Sequence, residues 1–190
     1  VLSKGEGGQS LAWSDFRDED LMDGDVTVAV SHSTVNYKDG LALTGKAPVV
    51  RRFPMIAGID FAGTVEQSSH PQWKAGDKVV CNGWGMGETH LGAYAEKARV
   101  KGDWLVRLPP GLSPREAMAV GTAGYTAMLA VMALEHQGVA ADKGPPVWVG
   151  RLSPLGPNRF EQKADLWMHA KMALDRSIGA DATAAVIPAD

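Results

Sequence analysis

Apolar and polar positions alternate along the first two thirds of the chain and then change period. "VTVAVSHS" (26–33) sets valines at every second position against smaller or polar residues, the pattern of a half-buried strand. "IAGIDFAGTVEQ" (56–67), "AGDKVVCNGW" (75–84) and "GAYAEKARV" (92–100) each join a glycine turn to a β-branched or aromatic run. Short strands at this spacing predict a small barrel rather than alternating βαβ units. Pro109 and Pro110 end the series, and Ser113, Pro114 and Glu116 stand where an N-cap, N1 and N3 of a helix should be. Gly121 and Gly124 are expected to interrupt that helix. "YTAMLAVMALEHQG" (125–138) predicts a second helical run, apolar almost all round and so expected to lie buried between layers.

Beyond "KGPPVWVG" (143–150), which has the look of a first strand, "RLSPLGPNRFEQ" (151–162) has no apolar period and looks like a joint. Leu166, Met168, Met172 and Leu174 restore a helical pattern that Gly179 should end, and "AAVI" (184–187) is a candidate final strand. The fold class expected is α+β, a partly open β-barrel followed by helices.

Composition narrows the functions. A chain of 190 residues with 45% hydrophobic content can bury a core. A net charge of −3 and a pI near 6.0 offer no general attraction to nucleic acid or anionic lipid. No apolar run approaches a membrane span, and no signal-like leader is visible. One cysteine, Cys81, permits neither an internal disulfide nor a multi-cysteine zinc site, which fits a cytoplasmic setting. The five histidines show no metal-ligand spacing, so no metal is expected.

Several residues carry candidate chemistry. In "VNYKDGLALTG" (35–45), Asn36 and Tyr37 follow the first strand; locally, the tyrosine hydroxyl is as well explained by a loop carbonyl as by catalysis. Asp39 before "GLAL" is expected as the N-cap of a short helix, and Lys38 as part of a solvated turn. Lys46, Arg51 and Arg52 form a local basic cluster, suited either to phosphate or to water. Trp84 and Met86 shape an acyl pocket or pack a glycine-rich loop; Glu88 and His90 are candidates for proton transfer. Cys81, after two valines, is expected to be buried and inert.

"GDVTVAVSHSTVNYKDGLALTGK", "FPMIAGIDFAGTV", "GDKVVCNGWGMGETHLGAYAEKARVKGDWLVRLP" and "AMAVGTAGYTAMLAVMAL" together resemble the zinc-free branch of the medium-chain dehydrogenase/reductase superfamily, and within it the acrylyl-CoA reductases, also described as quinone oxidoreductases. The resemblance covers about residues 25–149. It implies a GroES-like catalytic domain, expected here over 1–120, and over 121–190 a linking helix with an incomplete Rossmann-type nucleotide-binding domain. It also implies NADPH as cofactor, an acyl-CoA substrate, and reduction of the carbon–carbon double bond of acrylyl-CoA. No nucleic acid or membrane partner is implied, and a homodimer is compatible with it.

The resemblance places Asn36 and Tyr37 at the nicotinamide end of a cleft as catalytic residues, with Tyr37 also contacting cofactor. Gly121, Thr122 and Thr126 fall at the family's cofactor-contacting helix junction, although close helix packing selects the same small residues. Arg51, Arg52 and Trp84 become candidates for substrate binding. Zinc-dependent relatives have a cysteine near Asn36 and Tyr37 and "GHE" where "GID" (58–60) stands here. After Val149 the family's glycine-rich phosphate turn is replaced by "GRLSPLG" (150–156). A two-domain reductase needs about 300 residues, so the expectation is a truncated or hybrid chain with weak or absent NADPH binding and activity. A non-catalytic GroES-like interaction or oligomerisation module and an NADPH quinone reductase remain as alternatives.

Overall fold

The computed structural model describes residues 1–136 and the strand Val186–Pro188, with side chains described as far as residue 129. The expected joint at 151–162, the helix of 163–179 and its Gly179 stop lie outside the described residues.

The strands expected from the alternating segments are present and join in one antiparallel sheet. Strand β1 (Leu2–Gly5) and strand β2 (Gly8–Leu11) form a hairpin that the apolar pattern did not predict. It is tied to the rest of the chain by reciprocal bonds between Leu2 and Met55, at 2.7 and 2.9 Å, and both side chains are fully buried. The main sheet is built from β3 (Val26–Thr34), β4 (Asp60–Ser68), β5 (Lys78–Asn82), β6 (Lys97–Val100) and β7 (Leu105–Arg107), in the order β6-β3-β4-β5-β7. Every pairing is antiparallel.

One edge of β3 is used twice. Its first half pairs with β6 and its last residues, His32 to Thr34, pair with β8 (Val186–Pro188), the strand anticipated in "AAVI". Register shifts after Thr27 and Val30 mark β-bulges, which bend a strand and let it serve two neighbours. Val26, Val28, Phe61, Val65, Val79 and Val100 fill the centre of the sheet, as the period-two pattern requires. Cys81 joins them and is buried as expected.

Two helices follow from local signals. Helix α1 (Tyr37–Thr44) begins three residues earlier than expected: Asn36, extended at φ −98°, is the N-cap, and Asp39 is the N3 residue. The carboxyl of Asp39 accepts the Asn36 backbone N–H at 2.9 Å, the return half of a capping box. Gly45 ends the helix in the left-handed region at φ 66°. Helix α2 (Pro114–His136) starts where the sequence places it. Ser113 Oγ accepts the Glu116 N–H at 3.2 Å, and Glu116 Oε2 accepts the Ser113 N–H at 2.8 Å.

α2 is broken at Gly121, with φ 53° and ψ −165°, but not at Gly124. Gly121 faces Thr34 so closely that a Cβ would meet its Cγ2 at 2.9 Å, which leaves the helix no room for a side chain there. The chain divides into a unit of Val1–Thr122 with Thr183–Asp190 and a second unit of Ala123–Ala182. Within the second unit Ala127 is buried, whereas Tyr125 and Leu129 are 54% and 48% exposed. The expected burial of this helix holds at Ala127 and not at Tyr125 and Leu129; the side chains beyond residue 129 lie outside the described residues.

Candidate functional site

The site grows from Asp60, the first residue of β4, whose side chain is fully buried. Four donors converge on it. Thr34 gives its backbone N–H and its hydroxyl to Oδ1, at 3.3 and 2.6 Å. Asn36 Nδ2 and the backbone N–H of Thr122 reach Oδ2, at 3.2 and 2.8 Å. Four donors fill the accepting capacity of a carboxylate, so a group that is expensive to bury becomes a clamp. It joins the end of β3, the cap of α1 and the break in α2.

A second carboxyl lies beside it. Asp39 is 1% exposed and, besides the Asn36 N–H, accepts Asn36 Nδ2 at 3.2 Å through the same Oδ2. Asn36 Nδ2 also reaches Thr34 Oγ1 at 2.9 Å, so this one amide group is shared among Thr34, Asp39 and Asp60. Burial, opposed by the Asn36 hydrogen bonds and assisted by Asp60, raises the Asp39 carboxyl above its usual range. Tyr94 stands over the pair with its hydroxyl donating to the Thr34 carbonyl at 2.8 Å; burial first and then Asp39 push its phenol up.

Of the residues singled out in the sequence, Asn36, Gly121 and Thr122 are brought together here. Thr122 also takes a hydrogen bond on its hydroxyl from Asn82 Nδ2, at 3.1 Å, which ties β5 to the same corner. Tyr37, the first residue of α1, is 73% exposed and leaves its phenol accessible above the corner's backbone. Thr126 lies in the second unit.

The substrate candidates are arranged around the loop 83–92. Lys38 pairs with Glu88, and the Glu88 carbonyl accepts the Arg51 N–H at 2.9 Å, so Arg51 is tethered to the residue that follows Tyr37 in α1. The side chains of Arg51 and Arg52 are exposed. Trp84 is 59% exposed and holds φ 57° between two positive-φ glycines, a conformation that costs a non-glycine residue about 1 kcal/mol. Its ring lies parallel to Trp104, with centroids 6.0 Å apart. Met86, by contrast, is wholly buried in the core.

Other expectations are corrected. Glu88 is engaged by Lys38, and His90, 7% exposed, has Nε2 at 2.7 Å from the Arg99 carbonyl with its ring edge-on to Trp104. Both are placed as structural groups. Lys38, expected in a solvated turn, is paired with Glu88, and Asp39, expected as an N-cap, is the N3 residue of α1 with its side chain buried. Sequence reasoning missed Asp60, Thr34 and Tyr94 as parts of the site. The "GID" that replaces "GHE" marked the position of Asp60, but nothing local signalled which groups would meet it. Among the described residues no cluster of three or more ligating side chains could hold a metal ion, and no helix is long and apolar enough to cross a membrane.

Known proteins resemble part of this chain. Residues 22–110 match the family described as the alcohol dehydrogenase GroES-like domain. A probable acrylyl-CoA reductase of Escherichia coli is 54% identical over 157 residues, 82% of this chain and 48% of the relative. The acrylyl-CoA reductase of Ruegeria pomeroyi is 58% identical over 137 residues, 72% of this chain and 42% of the relative. The crystal structure of the yhdH oxidoreductase from Salmonella enterica in complex with NADP superposes with a TM-score of 0.73 at 55% identity, covering 75% of this chain and 44% of that one. The chain thus spans about half the length of the curated relatives it matches.

Proposed function

Because this chain belongs, through its GroES-like segment, to the medium-chain dehydrogenase/reductase family, we propose that it is the substrate-side part of an NADPH-dependent enoyl-thioester reductase acting on acrylyl-CoA. The observation that carries the reading is the Asp60 clamp, which draws the Asn36–Tyr37 cap and the Gly121–Thr122 junction to one corner and leaves the Tyr37 phenol exposed there. We take residues 1–120 as the catalytic domain and 121–190 as a linking helix with part of a nucleotide-binding domain.

When bound, NADPH supplies a hydride for the β-carbon of the unsaturated thioester. The residues present suit the nicotinamide end: Asn36 is immobilised by three acceptors, and Gly121 and Thr122 present small groups at a backbone break. Tyr37 either polarises the thioester carbonyl by donating its hydroxyl or delivers the proton to the α-carbon; one hydride and one proton saturate the double bond. Thr122 offers its hydroxyl to the carboxamide, and the family resemblance gives Thr126 the same role. Arg51 and Arg52 meet the phosphates of coenzyme A through charge-assisted bonds, and Trp84 lines the acyl side. The "GRLSPLG" sequence offers no glycine-rich phosphate turn, which supports weak NADPH binding and low activity in this chain. A homodimer is the assembly compatible with this reading.

Amide resonances followed during titration with propionyl-CoA, the product and a non-reactive ligand, test the substrate-side assignment. Shifts at Tyr37, Arg51 and Arg52 are expected; their absence at millimolar ligand overturns it. A quinone that shifts the corner while propionyl-CoA does not would transfer the reading to quinone reduction.

A further inference from the structure

Beneath α1, two carboxyl groups share one amide. Asn36 Nδ2 is 3.2 Å from Asp39 Oδ2 and 3.2 Å from Asp60 Oδ2. Both aspartates are buried, and they differ in how they are satisfied. Asp60 has four donors, two to each oxygen. Asp39 has donors on Oδ2 alone, while Oδ1 is buried with no hydrogen-bond partner. An ionised carboxyl with one oxygen buried and bare loses hydration that nothing replaces.

The groups facing Asp39 make the same point. They are the Asp60 carboxyl from β4, the Asn36 amide at the head of α1, and the Tyr94 hydroxyl from the segment before β6. None is a cation, and the nearby ammonium of Lys38 is paired with Glu88. Tyr94 has one hydroxyl proton, which is given to the Thr34 carbonyl at 2.8 Å. That proton is therefore not available to Asp39 Oδ1, which stays without a hydrogen-bond partner.

We propose that Asp39 is held as a neutral carboxylic acid, protonated on its unpartnered Oδ1, and that this proton is what lets Asn36 bridge Asp39 and Asp60. The corner under the Asn36–Tyr37 cap then contains one negative charge rather than two. Asp39 is a positioning residue: it seats Asn36 and the first turn of α1 against β4. Loss of its proton at alkaline pH puts two like charges on one amide and releases that turn. Burial of the group, and after it the field of Asp60, act in the same direction and outweigh the hydrogen bonds of Asn36 and Tyr94, which favour the charged form. The inference concerns the state of this corner whether or not the chain turns over a thioester.

The test is a carbon-13 titration of the aspartate side chains in the full chain, with Asp39 assigned through its own backbone. Its Cγ resonance is expected at the carboxylic-acid position at neutral pH, moving to the carboxylate position on the alkaline side together with the amide resonances of Asn36 and Tyr37. A carboxylate resonance for Asp39 at neutral pH overturns the proposal, as does a titration that leaves Asn36 unmoved. Asp39→Asn is the companion variant, because an amide keeps the accepting oxygen towards Asn36 and places N–H donors where the acid proton would be. The alkaline movement of the Asn36 and Tyr37 resonances should vanish in it; persistence of that movement in Asp39→Asn assigns it to another group and overturns the proposal.

Discussion

The backbone N–H of Thr122 donates to Asp60 Oδ2 at 2.8 Å across 62 positions of sequence. This bond fastens the break in α2 to the first residue of β4, and the same oxygen receives Asn36 Nδ2 at 3.2 Å. Two candidate site segments are therefore held by one atom.

Removing that atom should be costly. Asp60→Ala removes the carboxylate that accepts the Thr34 hydroxyl, the Thr34 and Thr122 N–H groups and, as one of three acceptors, Asn36 Nδ2, and each unsatisfied buried group costs about 1–3 kcal/mol. A loss of at least about 3 kcal/mol in urea denaturation is expected, with Asp60→Asn losing less because one acceptor oxygen remains. Equal stability of Asp60→Ala and the parent chain would mean that the clamp does not hold the corner.

Tyr37→Phe should separate stability from chemistry. The side chain is 73% exposed, so unfolding free energy should change by no more than about 0.5 kcal/mol. Any reduction of acrylyl-CoA measured with NADPH should fall by about 10²-fold or more if Tyr37 is the general acid. Unchanged turnover removes it from the reaction.

Gly121→Ala is expected to destabilise by about 1–3 kcal/mol, because a backbone at φ 53° and ψ −165° is reached easily only by glycine. The new Cβ would also lie 2.9 Å from Thr34 Cγ2 and 3.4 Å from Asp60 Oδ2. Thermal unfolding gives the magnitude, and weaker protection of the Thr122 amide against hydrogen exchange gives the location. A variant as stable as the parent would show that α2 can pass this point without the glycine.

Cys81 should be silent in the folded chain. Burial, with a smaller contribution from Asp60, pushes its thiol up to about 12, so little thiolate exists at neutral pH and the sulfur is out of reach. A disulfide reagent at neutral pH should react only at the rate of unfolding, and quickly once urea is added. Fast labelling of the native chain would contradict the core position.

Stability should depend on pH with two opposite signs. Asp77, mainly through its bonds from Arg107, and Glu116, through Ser113, lie below their ordinary values in the folded chain. A depressed folded value favours folding above the unfolded value and is lost as pH falls through the folded one. Asp39 is raised, chiefly by burial, so its contribution favours folding at low pH and is lost as pH rises through its folded value. Thermal midpoints between about pH 3 and 9 should therefore fall at both ends. Asp77→Asn should flatten only the acid side and Asp39→Asn only the alkaline one; an acid limb unchanged in Asp77→Asn would show that the Arg107 pair contributes nothing there.

Much of the architecture was legible in short windows of sequence. The valines of 26–30 dictate a strand with one buried face, and Ser113, Pro114 and Glu116 dictate a helix start, because both signals act over a few residues through side-chain alternation and capping bonds. The start of α1 was misplaced for a related reason: Asn36 and Asp39 are both good capping residues, and only the backbone at Asn36, extended at φ −98°, selects between them. The β1–β2 hairpin escaped notice because its strands are short and, except for Leu2, exposed.

By itself, then, the sequence determined the succession of strands and helices, the burial of Cys81 and, through its motifs, the family to which residues 22–110 belong. Only the tertiary structure decided that Asp60 is the clamp of the corner, that Glu88 and His90 are engaged elsewhere, and that Asp39 is buried with one oxygen unpartnered. The contacts of Asp60 join residues 24 to 62 positions apart, and the state of a carboxyl is set by the donors that surround it in space.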